Sequence, residues 1–108
     1  MSGSGGSGGG YESQTDDCAS LVINTQLSSP KASVIDLIMV GEFLDVRLQM
    51  FASTEVVAVF RQEQLAGGLA SPDIAKLRRC ISEGTEYKAE VTAKSEGQVR
   101  VRVKASNL

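Results

Sequence analysis

The last quarter of the chain constrains the fold more than any other part. Tyr87, Ala89, Val91 and Ala93 alternate with Lys88, Glu90, Thr92 and Lys94, and further on Val99, Val101 and Val103 alternate with Arg100, Arg102 and Lys104. A period of two sends one set to a buried face and the other to solvent, so the segment reads as an antiparallel hairpin. The turn decides its register. A two-residue Glu96-Gly97 turn would set Lys94 against Val99 and oppose charged to apolar residues all along the ladder. A three-residue Ser95-Glu96-Gly97 loop instead pairs Ala93 with Val99, Val91 with Val101, Thr92 with Arg100 and Glu90 with Arg102. It also puts Gly97 in the left-handed position that such loops favour, so the three-residue loop is expected. Strict alternation then places Lys88, Lys94, Arg100, Arg102 and Lys104 on one solvent face.

Upstream, Ser71, Pro72 and Asp73 form a helix-start signal: an N-cap, a first-turn proline and an acid near the positive helix end. Ile74, Leu77, Cys80 and Ile81 make an apolar stripe, and Gly84 provides the left-handed stop, so a helix over Ser71 to Glu83 is expected. Phe43 to Met50 alternates, with Leu44, Val46, Leu48 and Met50 on one side and Asp45, Arg47 and Gln49 on the other. After a Ser53-Thr54-Glu55 connection, Val56 to Arg61 is its expected hairpin partner. Ala19 to Thr25 is a short strand with Leu21 and Ile23 on one face, broken by Ser28-Ser29-Pro30. Ala32 to Val40 fits a helical stripe through Val34, Leu37 and Ile38 as well as a β-branched strand, and periodicity does not decide between them. Gln64 to Leu69 reads as a turn whose Gly67-Gly68 pair permits positive φ or close backbone approach.

The expected fold is therefore mainly β with one α-helix (α+β). It is a small OB- or SH3-like curled sheet or barrel, in the order β-(β or α)-β-β-α-β-β. Its core is expected from Val46, Leu48, Val59, Leu77, Ile81, Val91 and Val101. Residues 1–10 are a Gly/Ser run holding six of the eleven glycines and read as an expression linker; residues 11–18 read as a disordered lead-in and 19–105 as a single β-rich domain.

Composition narrows the chemistry. The chain has no histidine, which removes the commonest general base and the commonest metal ligand together. The serines and cysteines thus lack a histidine base, and Asp16-Asp17, adjacent in sequence, do not converge as a catalytic pair. A non-enzymatic protein without metal or cofactor is expected. No apolar run approaches the ~20 residues of a membrane span, and no secretory signal precedes the domain, so no membrane partner is expected. Cys18 and Cys80 are the only cysteines of a 108-residue chain, too few for an oxidised secreted scaffold. Cys80 is expected as a core thiol, Cys18 as an inert one, and the location as cytoplasmic.

Charge is split along the chain. Up to Ala75 three basic residues face nine acids, a balance of −6; from Lys76 onward eight basic residues face four acids, a balance of +4. Such asymmetry suits either a polyanion-binding face or mutual attraction between the halves of one domain.

The run Gly68-Leu69, Ile74-Ala75, Leu77, Ile81, Gly84, Tyr87, Ala89 and Val91, closing on Val99-Arg100-Val101, resembles the second half of HIRAN domains. There a glycine–leucine turn leads into a short helix and a final hairpin. Val40-Gly41-Glu42-Phe43-Leu44-Asp45-Val46 is similar to the strand opening of that family, so the resemblance spans roughly residues 40–103. It implies a DNA-end-binding module. Where the family has an Asn/Asp-rich loop between its early strands, this chain has Phe51-Ala52-Ser53-Thr54-Glu55. The chain also resembles short bacterial proteins with the Val-Gly-acid opening and a Cys-Ile…Gly…Tyr ending.

Two functional classes follow. The first is a small binding module for nucleic acid, DNA ends or single strands, through Lys88, Lys94, Arg100, Arg102 and Lys104, with Gly67 and Gly68 as a secondary anion-binding turn before the helix. The second is a protein-interaction or assembly module, with a partner or a second copy adding a strand at a sheet edge or at the Phe51 loop.

Overall fold

The computed structural model describes residues 17–106. The linker at residues 1–10 and the lead-in over residues 11–16 lie outside the described residues. The elements run β1 (Val22–Gln26), α1 (Ala32–Ile35), β2 (Phe43–Phe51), β3 (Thr54–Arg61), β4 (Gln64–Gly68), α2 (Ile74–Ser82), β5 (Tyr87–Ser95) and β6 (Gln98–Ala105). The six strands form one antiparallel sheet in the order β1-β6-β5-β2-β3-β4. The mainly β class holds.

The curled sheet is not a closed barrel. Among the described residues its two outer ends meet at a single bridge, where Ser28 and Gly68 exchange backbone hydrogen bonds of 2.9 and 2.8 Å. Gly67 and Gly68 permit this contact, because a Cβ on either would stand 3.0 Å from an oxygen of Ser28. The expected turn at Gln64 to Leu69 is therefore corrected. A tight Gln62-Glu63 turn reverses the chain and Gln64–Gly68 is a strand, its glycines present for close approach rather than for positive φ.

The open segment after β1 is helical at Ala32–Ile35. Its buried residues are Val34, Ile35 and Ile38, whereas Leu37, expected in the stripe, is half exposed. Helix α2 begins at Ile74 rather than Ser71. Ser71 Oγ accepts from the Asp73 N–H (3.1 Å) in a turn ahead of the helix. At the other end Gly84 has φ +105°, its N–H donates to Ile81 O, and the Thr85 N–H donates to Cys80 O, the paired bonds of a Schellman stop.

The core lies on the inner face of the sheet, with α1 contributing Val34 and Ile35 and α2 contributing Leu77 and Cys80. Val46, Val59, Leu77, Val91 and Val101 are buried as expected; Leu48 and Ile81 pack against the cluster half-buried. Ile23, Leu44, Val57, Tyr87, Val99 and Val103 complete much of it. The alternation of β2 fades at its end, where Met50 is exposed because the hairpin outruns the core.

Cys80 is buried in the core as expected, but neither cysteine is a free thiol. Cys18 and Cys80 form a disulfide with their Cα atoms 5.5 Å apart. Residues 17–20 are helical, which moves Ala19 and Ser20 out of the expected strand and brings Cys18 into the core beside α2. The buried Tyr87 hydroxyl holds the same turn by donating to Cys18 O at 2.6 Å. The domain thus includes Asp17 and Cys18, and the low cysteine count does not argue against a disulfide here.

Candidate nucleic-acid interface

The hairpin of β5 and β6 combines both registers considered for it. At the tip the turn has two residues, with Ser95 opposite Gln98, Lys94 opposite Val99 and Ala93 opposite Arg100. Below the tip Val91 faces Val101 and Glu90 faces Arg102, the register expected of the longer loop. A β-bulge at Thr92 reconciles them by adding one residue to β5, and the Thr92 hydroxyl donates to Arg100 O at 3.2 Å. Glu96 and Gly97 both have positive φ, as a two-residue hairpin turn of the primed kind requires.

The bulge splits the expected site. It breaks strict alternation, so Lys94 leaves the face shared by the other cations and its ammonium donates to Ile38 O at 2.9 Å. Lys88, Arg100, Arg102 and Lys104 stay on the outer face. Lys88 and Lys104 are cross-strand partners; Arg100 and Arg102 are exposed along β6, flanked by Gln26 and Asn24 of β1. Gly67 and Gly68 lie across the sheet in β4, and the Gly68 N–H already donates to Ser28 O, so no free anion-binding turn stands there.

Neighbouring strands decide how freely each cation can act. Lys88 is ion-paired with Asp45, which also receives Arg47 at 2.9 Å. The Lys88 hydrogen bond, helped by Arg47 and opposed by partial burial, holds the Asp45 carboxyl below its usual range. Arg47 in turn has its guanidinium pKa raised, chiefly by the Asp45 hydrogen bond, and stacks 4.7 Å from the Phe60 ring centroid. The β2–β3 half of the face is thus internally paired. Arg102 does not pair with Glu90: its Nε donates to Asn24 Oδ1 at 3.2 Å. Among the described residues no ion pair forms at Glu90, Arg100, Arg102 or Lys104.

One residue outside the expected set changes the character of the face. Phe43, the first residue of β2, stands opposite Glu90 and is 63% exposed. It lines a concavity of about 220 Å³ with Lys88, Glu90, Arg102 and Lys104. The parity of Phe43 was readable, since it shares the side of Asp45 and Arg47; that β2 pairs with β5 was not, because this contact joins strands distant in sequence. Among the described residues no group of three metal-ligating side chains occurs, and no helix is long and apolar enough to cross a membrane. No family model, no curated protein and no solved structure matches this chain.

Proposed function

We propose that the protein is a small non-catalytic binding module that holds single-stranded nucleic acid on the outer face of β5 and β6. The observation that carries this reading is the exposed Phe43 ring in one concavity with Lys88, Arg102 and Lys104. Cations track the phosphates while an aromatic face stacks a base, the combination that sequence-tolerant single-strand binders use. A duplex keeps its bases stacked away from such a ring, so unpaired strands or frayed ends are the substrates. The HIRAN-like resemblance points to the same class of ligand. The buried Cys18–Cys80 bond favours an oxidising compartment as the place where this ligand is met.

Titration with a short single-stranded oligonucleotide at low salt tests the reading. Amide shifts are expected to move at Phe43, Lys88, Arg100, Arg102 and Lys104 and to stay still at Lys94, and Phe43→Ala is expected to weaken binding by roughly tenfold. Absence of any shift on this face would refute it.

A second reading, a protein-interaction or assembly module, draws on a different observation. Leu37, Met39 and Val40 are at least half exposed in one short loop, as are Met50 and Phe51 at the β2–β3 tip. Strand addition at β4 is the less favoured route, since Ser28 and Lys31 already donate to the carbonyls of Gly68 and Ala66.

A further inference from the structure

Resting on the nucleic-acid reading above, we infer that Glu90 makes the concavity selective for bases that present an exocyclic amino group, cytosine above thymine. Phe43, Glu90, Arg102 and Asn24 form one row across four strands, each residue in register with the next. A carboxylate at the centre of a phosphate-binding face opposes binding unless it meets something other than phosphate. Arg102, the residue placed to neutralise it, is turned to Asn24 instead.

The ionised carboxylate can only accept hydrogen bonds. Adjacent strands lie about 4.8 Å apart, so a base laid on the Phe43 ring brings its edge to the neighbouring Glu90. Cytosine offers N4–H₂ to such an acceptor, whereas thymine carries the O4 acceptor at that position, which a carboxylate repels. Phe43 contributes stacking to either pyrimidine alike, and the choice between them falls to Glu90.

The test compares short oligo-dC and oligo-dT of equal length by fluorescence anisotropy at neutral pH and low salt. The wild-type chain is expected to hold oligo-dC about tenfold more tightly. Glu90→Gln, whose amide both donates and accepts, is expected to bring the ratio near one while raising affinity for oligo-dT, because a charge that repels phosphate is gone. Glu90→Ala should equalise the two ligands in the same way, and reading a ratio separates lost selection from lost folding, which would lower both affinities. Equal wild-type affinities, or a preference that survives both substitutions, would overturn the role of Glu90 and leave the nucleic-acid reading standing. Failure of the wild-type chain to bind either ligand would overturn both.

Discussion

Lys94 stands opposite Val99 across the C-terminal hairpin, yet Val99 is fully buried while Lys94 reaches the edge of the core and donates to the carbonyl of Ile38. The pairing exists only because Thr92 bulges; without the extra residue Lys94 would share the outer face with Arg100. Its ammonium satisfies a carbonyl at the end of the α1 segment, so its role is in stability. Lys94→Gln is expected to lower stability by about 1 kcal/mol, read from urea unfolding, with oligonucleotide affinity unchanged. A marked loss of affinity at unaltered stability would return Lys94 to the binding face.

The Cys18–Cys80 bond closes a loop of 62 residues. On loop entropy a closure of that size stabilises by about 4 kcal/mol, a large share of the roughly 5–15 kcal/mol that holds a domain together. Replacing both cysteines by serine is expected to cost about that much in chemical denaturation. Both sulfurs are held in the bond, so in denaturant a thiol reagent should label neither position before reduction and both after it. Labelling without reduction would show that the bond does not form.

Asp45 links acid stability to the binding face. Its folded-state pKa lies below the ordinary carboxyl value because Lys88, and then Arg47, favour the carboxylate. A depressed pKa stabilises the fold above the unfolded value, and that contribution is lost as the pH falls through the folded one. Stability should therefore drop between pH ~4 and the acid limit, and Asp45→Asn should flatten that part of the profile in urea unfolding. The effect is small, since the Asp45 side chain is 32% exposed and solvent screens the pair. The same substitution frees Lys88, so oligonucleotide affinity should rise. An unchanged acid profile would mean that the pair does not persist in solution.

What could be read ahead of the structure was whatever short-range pattern decides. The Ile74–Ser82 helix, its Gly84 stop and the inward set Val91, Val101 and Val103 follow from periodicities of a few residues. Three features escaped, the first two because they depend on distant partners. The disulfide required residues 17–20 to coil back onto α2. The strand at Gln64–Gly68 looked like a turn, because its two glycines serve a close approach to Ser28 that no local pattern announces. The bulge at Thr92 makes the two-residue and three-residue turns compatible, because one inserted residue lets the tip take the first register and the stem the second. The bulge takes Lys94 off the outer face, and the β2–β5 pairing, which no local pattern announces, brings Phe43 onto it beside Glu90.

The revised face makes a different quantitative prediction from a stripe of five cations. Lys88, Arg100, Arg102 and Lys104 remain, and Lys88 is already held by Asp45. Each phosphate neutralised on a single strand contributes about −0.7 to the slope of log affinity against log salt. Three contacts give about −2.1 and four give about −2.8, whereas five would give about −3.5. A slope between the first two values is expected for an oligonucleotide long enough to cover the face. Arg100→Glu with Arg102→Glu should abolish binding while leaving the urea midpoint close to wild type, because both side chains are exposed and neither carries an ion pair among the described residues. Asp45→Asn should steepen the slope toward the four-contact value by releasing Lys88. An affinity that does not change with salt would mean that these charges make no phosphate contact, and the protein-partner reading through Leu37, Met39 and Val40 would then take precedence.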